Sequence, residues 1–189
     1  AQQRRLKWDP AGSNRCNIGN LGRTVQRDSD GTMAWVVGGL LPTSGRTRWS
    51  VRIDATDEGA IYVGVVAVAA NYGWGFNPET GRIGNRLLTS FASGTISCQR
   101  SLLQPLPEGF PAVEEAMADL QPPLRACGSR DVVHVTVDHD AGTLSFALNG
   151  GAPSLAVTGF PKGAALRPWV RIRDRMDRVS LQPGWWSSS

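Results

Sequence analysis

From Trp49 onward the apolar residues recur at every second position, as in Trp49-Val51-Ile53, Val133-Val135-Val137 and Val170-Ile172. That period belongs to strands with one face buried and the other in water. Helix-period runs are nearly missing. Turn-forming clusters separate the apolar runs: Pro42-Thr43-Ser44-Gly45, Asn77-Pro78-Glu79-Thr80-Gly81, Asp140-Ala141-Gly142, Asn149-Gly150-Gly151 and Pro161-Lys162-Gly163. The pattern predicts strands over 34–38, 48–55, 61–69, 73–76, 132–138, 143–148, 156–158, 165–171 and 178–182, and hence an all-β, two-sheet antiparallel β-sandwich. The clearest unit is Val132 to Asn149, two strands around a connection in which Gly142 can supply a positive φ.

One long segment, 86–130, breaks this rhythm. Within it Pro111 to Leu120 reads as a short helix, opened by proline, acidic in its first turns and stopped by Pro122-Pro123. Val113, Ala116, Met117 and Leu120 share a face that either packs on the sandwich or meets a partner. The expected organisation is an N-terminal extension over 1–33 packing on the domain, a sandwich over 34–183 carrying the 86–130 insertion, and a tail over 184–189. Trp185-Trp186 in that tail either fold back or contact a neighbouring domain.

Composition narrows the class. The chain has 189 residues with 41% hydrophobic, 19% charged, 22 Gly and 12 Pro, which describes a folded, turn-rich domain able to bury a core without metal or disulfides. No run approaches the length of a membrane span. The chain opens on Ala-Gln-Gln-Arg-Arg with no initiator Met and no apolar leader, so a trimmed or excerpted chain is expected. Cys16, Cys98 and Cys127 cannot all pair with one another and form no C-x-x-C, so free buried thiols are expected and a zinc site is not. With no Asn-x-Ser/Thr acceptor, an intracellular, cytoplasmic setting follows as an expectation. The net charge of +4 is almost wholly arginine, Lys7 and Lys162 being the only lysines. Guanidinium forks suit carboxylates and phosphates; a compositional bias of the genome would give the same imbalance.

The motifs resemble a known family. Gly45-Arg46-Thr47-Arg48-Trp49-Ser50-Val51 and Ile61-Tyr62-Val63-Gly64-Val65 are similar to early strands of SPRY domains, and Tyr72-Gly73-Trp74-Gly75-Phe76 to their "W-G" segment. Asp131 to Asp138, followed by Gly142-Thr143-Leu144-Ser145-Phe146-Ala147-Leu148-Asn149-Gly150, resembles the family's "D … gtlsF-x-x-NG" signature. Leu166-Arg167-Pro168-Trp169-Val170 and Val179-Ser180-Leu181 are similar to its closing strands. The chain departs from the family in its longer 86–130 segment and in Arg130, where a glycine is usual.

The resemblance implies a jelly-roll type of sandwich that is a non-catalytic protein-protein interaction module, set in a larger protein or assembly, with no cofactor. It also implies a ligand surface made by loops at one edge. Carried onto this chain, that surface comprises Arg46, Arg48, Tyr72, Trp74, Arg173, Asp174 and Arg175. Arg171, Arg173 and Arg175 would form a basic stripe if their strand continues, suited to an acidic or polar peptide. Against this, Asp174 and Asp177 would neutralise the stripe and Trp74 would be core.

Side chains for bond chemistry are scarce. His134 and His139 lie near Asp138 and Asp140, yet positions of opposite parity on a strand face opposite ways, which argues against a shared metal. No G-x-S-x-G elbow or phosphate-cradling G-x-x-x-x-G-K-S/T occurs, and the acids cluster in turns and on the expected helix rather than as a facing pair. Two other partner classes remain open: nucleic acid, from a pI near 9.4 and Arg beside Tyr72 and Trp74, and carbohydrate, stacking on an exposed Trp.

Overall fold

A computed structural model describes residues 6–14, 16–28, 34–56, 61–67, 72–77, 82–87, 108–111 and 128–183. The predicted helix over 111–120, the Trp185-Trp186 tail, Cys98 and Cys127 fall outside these residues, apart from Pro111. The described chain forms β1 (Trp8–Asn14), β2 (Cys16–Gly19), β3 (Thr24–Arg27), β4 (Ala34–Gly38), β5 (Arg46–Ala55), β6 (Tyr62–Ala67) and β7 (Tyr72–Asn77). They are followed by β8 (Arg82–Leu87), β9 (Val132–Asp138), β10 (Thr143–Leu148), β11 (Ser154–Thr158), β12 (Leu166–Ile172) and β13 (Arg178–Leu181). A six-stranded sheet runs β1-β4-β12-β6-β7-β8 and a seven-stranded sheet β11-β10-β9-β5-β13-β3-β2, with antiparallel pairing throughout. The expected two-sheet antiparallel sandwich is therefore what the chain folds into.

Alternation explains the stacking of the two sheets. On β5, Thr47, Trp49, Val51 and Ile53 point inward while Arg46, Arg48 and Arg52 face water. On β9, Val133, Val135 and Val137 are buried and their even-numbered neighbours half-buried. These inward rows meet Val63, Val65, Trp74, Phe76, Leu166, Val170 and Ile172 of the other sheet in one apolar core, and Phe76 and Phe146 bridge the layers with ring centroids 5.6 Å apart. The six-stranded sheet also buries side chains on its outward face, where Trp35, Val37, Val66 and Trp169 form a second cluster with Tyr62.

Three strands precede Ala34, where the first predicted strand begins. Residues 8–27 supply edge strand β1 of one sheet and β2 and β3 of the other. β8, at the far edge of the six-stranded sheet, was likewise unread in sequence. At the β10 to β11 turn, Asn149 and Gly150 take φ of 49° and 77°, the two successive left-handed residues a tight hairpin requires.

Strand direction fixes which loops are neighbours. Loop 39–45 lies at the same end as the β9–β10 turn and the start of β12, because the His139 N–H donates to the Gly45 carbonyl (2.8 Å) and the Leu41 N–H to the Leu166 carbonyl (2.9 Å). β7 begins at this end as well, since Tyr72 pairs with Ala67 and Ala67 with Leu166. The β12–β13 loop closes the opposite end, where Arg178 pairs with Ala55.

Candidate functional site

Of the seven residues singled out in the sequence, the sandwich brings Arg46, Arg48, Tyr72 and Trp74 to the Gly45 end and carries Arg173, Asp174 and Arg175 to the other. The ten residues of β5 separate the two groups, roughly 30 Å at about 3.3 Å per residue. A single binding edge containing all seven does not form.

Trp74 is fully buried and belongs to the core. Its indole lies 4.9 Å from the Tyr72 ring, 5.8 Å from Phe110 and 4.8 Å from Phe160 between centroids, and its Nε1–H donates to the Pro111 carbonyl at 3.1 Å. A large ring with a satisfied polar tip inside an aromatic cluster is a structural anchor, which corrects its placement on an exposed contact surface. Tyr72 is half-buried on the same cluster.

The basic stripe over 171, 173 and 175 is also corrected. β12 ends at Ile172, because the Asp177 carboxylate accepts the backbone N–H groups of Arg173 and Asp174 (2.9 Å each) and turns the chain out of the sheet. Arg171 stays in the strand, buried, with its guanidinium 5.2 Å from the Tyr62 ring centroid. Arg173 and Arg175 are exposed in the loop, Arg173 lying 3.8 Å from the Asp174 carboxylate.

Arg46 and Arg48 sit on the outward face of the seven-stranded sheet. Arg46 donates through Nε (3.2 Å) and Nη2 (2.9 Å) to Asp138 Oδ2 on β9. The Ala141 N–H, ahead of Arg46, holds the Asp138 carboxyl below the usual carboxylate range. Arg48 donates from Nε to the neutral Thr136 hydroxyl at 3.3 Å.

Period two also places Arg52 on this face, two turns of the pleat beyond Arg48, a residue the sequence reading passed over although its parity was legible. Arg52 Nε reaches Asp54 Oδ1 at 2.6 Å. From β13, Arg178 Nε lies 4.0 Å from Asp54 Oδ2, and the Ser180 hydroxyl donates to the same oxygen.

Between Arg48 and Arg52 lies a second feature the sequence did not reveal. The Gly150 N–H donates to His134 Nε2 at 3.0 Å, so that nitrogen is unprotonated and the ring's proton sits on Nδ1, donating to Ser50 Oγ at 2.6 Å. Ser50 therefore accepts from the imidazole and is not deprotonated by it. Burial and then the Arg48 charge hold His134 below the ordinary histidine value of 6.5. His139, buried at the start of the β9–β10 turn, is lowered by burial against the opposing pull of Asp140 and Asp138. Among the described residues no His, Cys, Asp and Glu cluster of three or more could hold a metal.

A pH dependence of stability follows. Both imidazoles fold neutral with depressed values, so their contribution is complete above the ordinary histidine value and is lost as pH falls through it toward the lower folded values. In urea unfolding followed by circular dichroism, the midpoint should drop between about pH 7.5 and pH 5. His134→Asn should shrink the drop; an unchanged pH profile in that variant would remove His134 from the account.

Cys16 is half-buried, and burial pushes its thiol up to about 12, which makes it an unreactive packing residue. No helix among the described residues is long and apolar enough to cross a membrane.

The family profile described as "SPRY domain" matches residues 46–180. The chain is similar to the crystal structure of the SPRY domain of human HERC1 at 19% identity and a TM-score of 0.68, over 93% of this chain and 97% of that one. It is similar to the NHR1 domain of Drosophila melanogaster neuralized at 14% identity and a TM-score of 0.57, over 96% and 99% of the two chains. The PSpry domain of TRIM65 is similar at 12% identity and 0.56, over 95% and 90%. At these identities the likeness concerns the fold. No curated protein matches in sequence.

Proposed function

The chain belongs to the SPRY domain family, whose members are generally protein-interaction modules, and from that premise we propose that it is a non-catalytic module binding an acidic or polar peptide or protein segment. The contact is made at the Gly45 end by Arg46 and Arg48 with the exposed part of Tyr72. Trp74 supports that end from within, and the 173–175 loop, at the far end, lies outside the contact.

The observation that carries the reading is Arg48. It is exposed on a paired central strand, and among the described residues its side chain bonds to a neutral hydroxyl and to no carboxylate, so its positive charge is presented by a backbone that does not have to be ordered on binding. Such pre-organisation reduces the entropy lost in association, and arginine is among the residues that dominate interface energetics. In the imidazole–hydroxyl pair beside it, the Ser50 oxygen faces a donating Nδ1–H, so this imidazole does not act as its base.

The test begins with affinity purification on the whole chain and continues with titration of the identified, purified partner. Arg46→Glu with Arg48→Glu should weaken binding by at least about tenfold, and Arg173→Glu with Arg175→Glu should leave it within about twofold. Unchanged affinity in the first pair sinks the acidic epitope. Loss confined to the second pair moves the site to the other end.

A further inference from the structure

We infer that the outward face of the seven-stranded sheet, from Arg46 along β5 to Arg52 and across to Arg178, is a docking strip for an extended peptide with acidic side chains at alternate positions. This rests on the interaction-module reading and extends it from the rim of the sandwich onto the sheet itself.

The charges on this face lie at two heights. Arg46, Arg52 and Arg178 are 58%, 47% and 48% exposed, whereas their carboxylate partners Asp138 and Asp54 are 19% and 8% exposed. The acids lie at the base of the face, held by guanidiniums and by the Ser180 hydroxyl, and the arginines cover them. A ligand approaching from solvent therefore meets cations first. Arg48 adds a charge that, among the described residues, is bonded to a hydroxyl and to no carboxylate. Beside the arginines the outward positions include the short polar side chains Ser50, Thr136, Thr143 and Ser145, with His134 opposite Ser50 and Val132 opposite Arg52, and the exposed Leu155 lies beyond Ser145, separated from β5 by two strands.

Geometry then selects the ligand. Alternate residues of a strand stand about 6.7 Å apart, and those of an extended peptide repeat at the same interval. Arg46 and Arg48 are one such step apart, and Arg48 and Arg52 two. Acids at every second position of an extended segment keep step with them, leaving the neutral His134–Ser50 pair opposite the middle of the ligand. Single-stranded nucleic acid fits less well. It needs aromatic faces on which bases can stack, and Trp49 and Trp74 both point into the core.

The probe is a synthetic peptide of alternating Glu and Thr, titrated into isotope-labelled protein at low salt and followed by amide chemical shifts. An alternating Gln and Thr peptide and a single-stranded RNA oligonucleotide serve as comparators. Shifts should concentrate on β5, β9 and β13 with the Glu peptide and be missing with the Gln peptide. Arg48→Glu with Arg52→Glu should raise the dissociation constant at least about tenfold with an unchanged circular dichroism spectrum, and the milder Arg48→Gln with Arg52→Gln covers the case in which the reversal unfolds the chain. Equal binding of the two peptides, equal binding by wild type and both variants, or tighter binding of the oligonucleotide overturns the strip. A purified protein partner that is held equally by wild type and an Arg52→Glu with Arg178→Glu variant, yet is lost by Arg46→Glu with Arg48→Glu, removes the strip alone and leaves the module reading in place.

Discussion

Gly64→Ala is expected to destabilise the fold by about 4 kcal/mol, enough to leave little of the margin typical of a domain. Gly64 lies in β6 opposite Gly75 of β7 and Trp169 of β12. A Cβ there would stand 1.8 Å from the Trp74 carbonyl oxygen and 2.7 Å from the Gly75 Cα. Both neighbours are backbone in a paired strand, so the clash cannot be relieved by a rotamer change and must shift the β6–β7 ladder. The glycines also serve a side chain: ideal Cβ atoms at Gly73 and Gly75 would meet the Trp169 ring at 3.2 and 2.9 Å, so the bare backbone here leaves the space that indole occupies. Equilibrium urea unfolding at pH 7 measures the loss. A variant of wild-type stability would mean that β6 and β7 are not paired in this register.

Trp74→Ala should cost about 3 to 5 kcal/mol, the range for deleting a buried aromatic side chain. The substitution removes the ring that Tyr72, Phe110 and Phe160 pack against and strands the Pro111 carbonyl without its donor. Trp74→Phe separates these contributions. It keeps most of the apolar contact, loses the hydrogen bond and part of the volume, and should cost roughly 1 to 2 kcal/mol. The pair also decides between two roles for this residue. A core anchor loses stability in both variants, whereas a surface contact would keep its stability and lose only partner affinity.

Trp74 shows what a strand pattern cannot reveal. In the sequence, a tryptophan beside glycines in a Tyr-Gly-Trp-Gly-Phe run fits both an exposed contact and a buried anchor. What decides is packing by residues far along the chain, Phe160 from the β11–β12 connection and the Pro111 carbonyl. The Arg171-Arg173-Arg175 stripe fails for a related reason: parity is meaningful only while the strand lasts, and a carboxylate four residues ahead of Arg173, that of Asp177, ends it by taking two backbone N–H groups.

Where alternation was strong, the reading held to the residue. β9 and β10 occupy the predicted 132–138 and 143–148, and β4, a continuous apolar run buried at every position, occupies the predicted 34–38. β5 was found on its Trp49-Val51-Ile53 row and begins two residues earlier than predicted. β1 was illegible because its sequence, Trp-Asp-Pro-Ala-Gly-Ser-Asn, contains proline and glycine and alternates only weakly. β3 hides its period because one of its two inward residues is Arg27, a buried arginine where an apolar residue would be expected. Period two gives the face of a residue without giving the direction of its strand, so Arg48 was legible as an exposed cation and its distance from Arg173 was not. The same limit concealed the Ser50–His134 pair, which exists only because β5 and β9 are neighbours in one register.

In the proposed contact, a rigid sandwich presents its arginines at the Gly45 end and along β5 to an acidic segment. Amide shift mapping of the labelled chain with its purified partner tests this most directly. The account predicts perturbations centred on Arg46, Arg48 and their β9 neighbours Thr136 and Asp138, with residues 173–177 unmoved; perturbations centred on residues 173–177, with β5 silent, would contradict it.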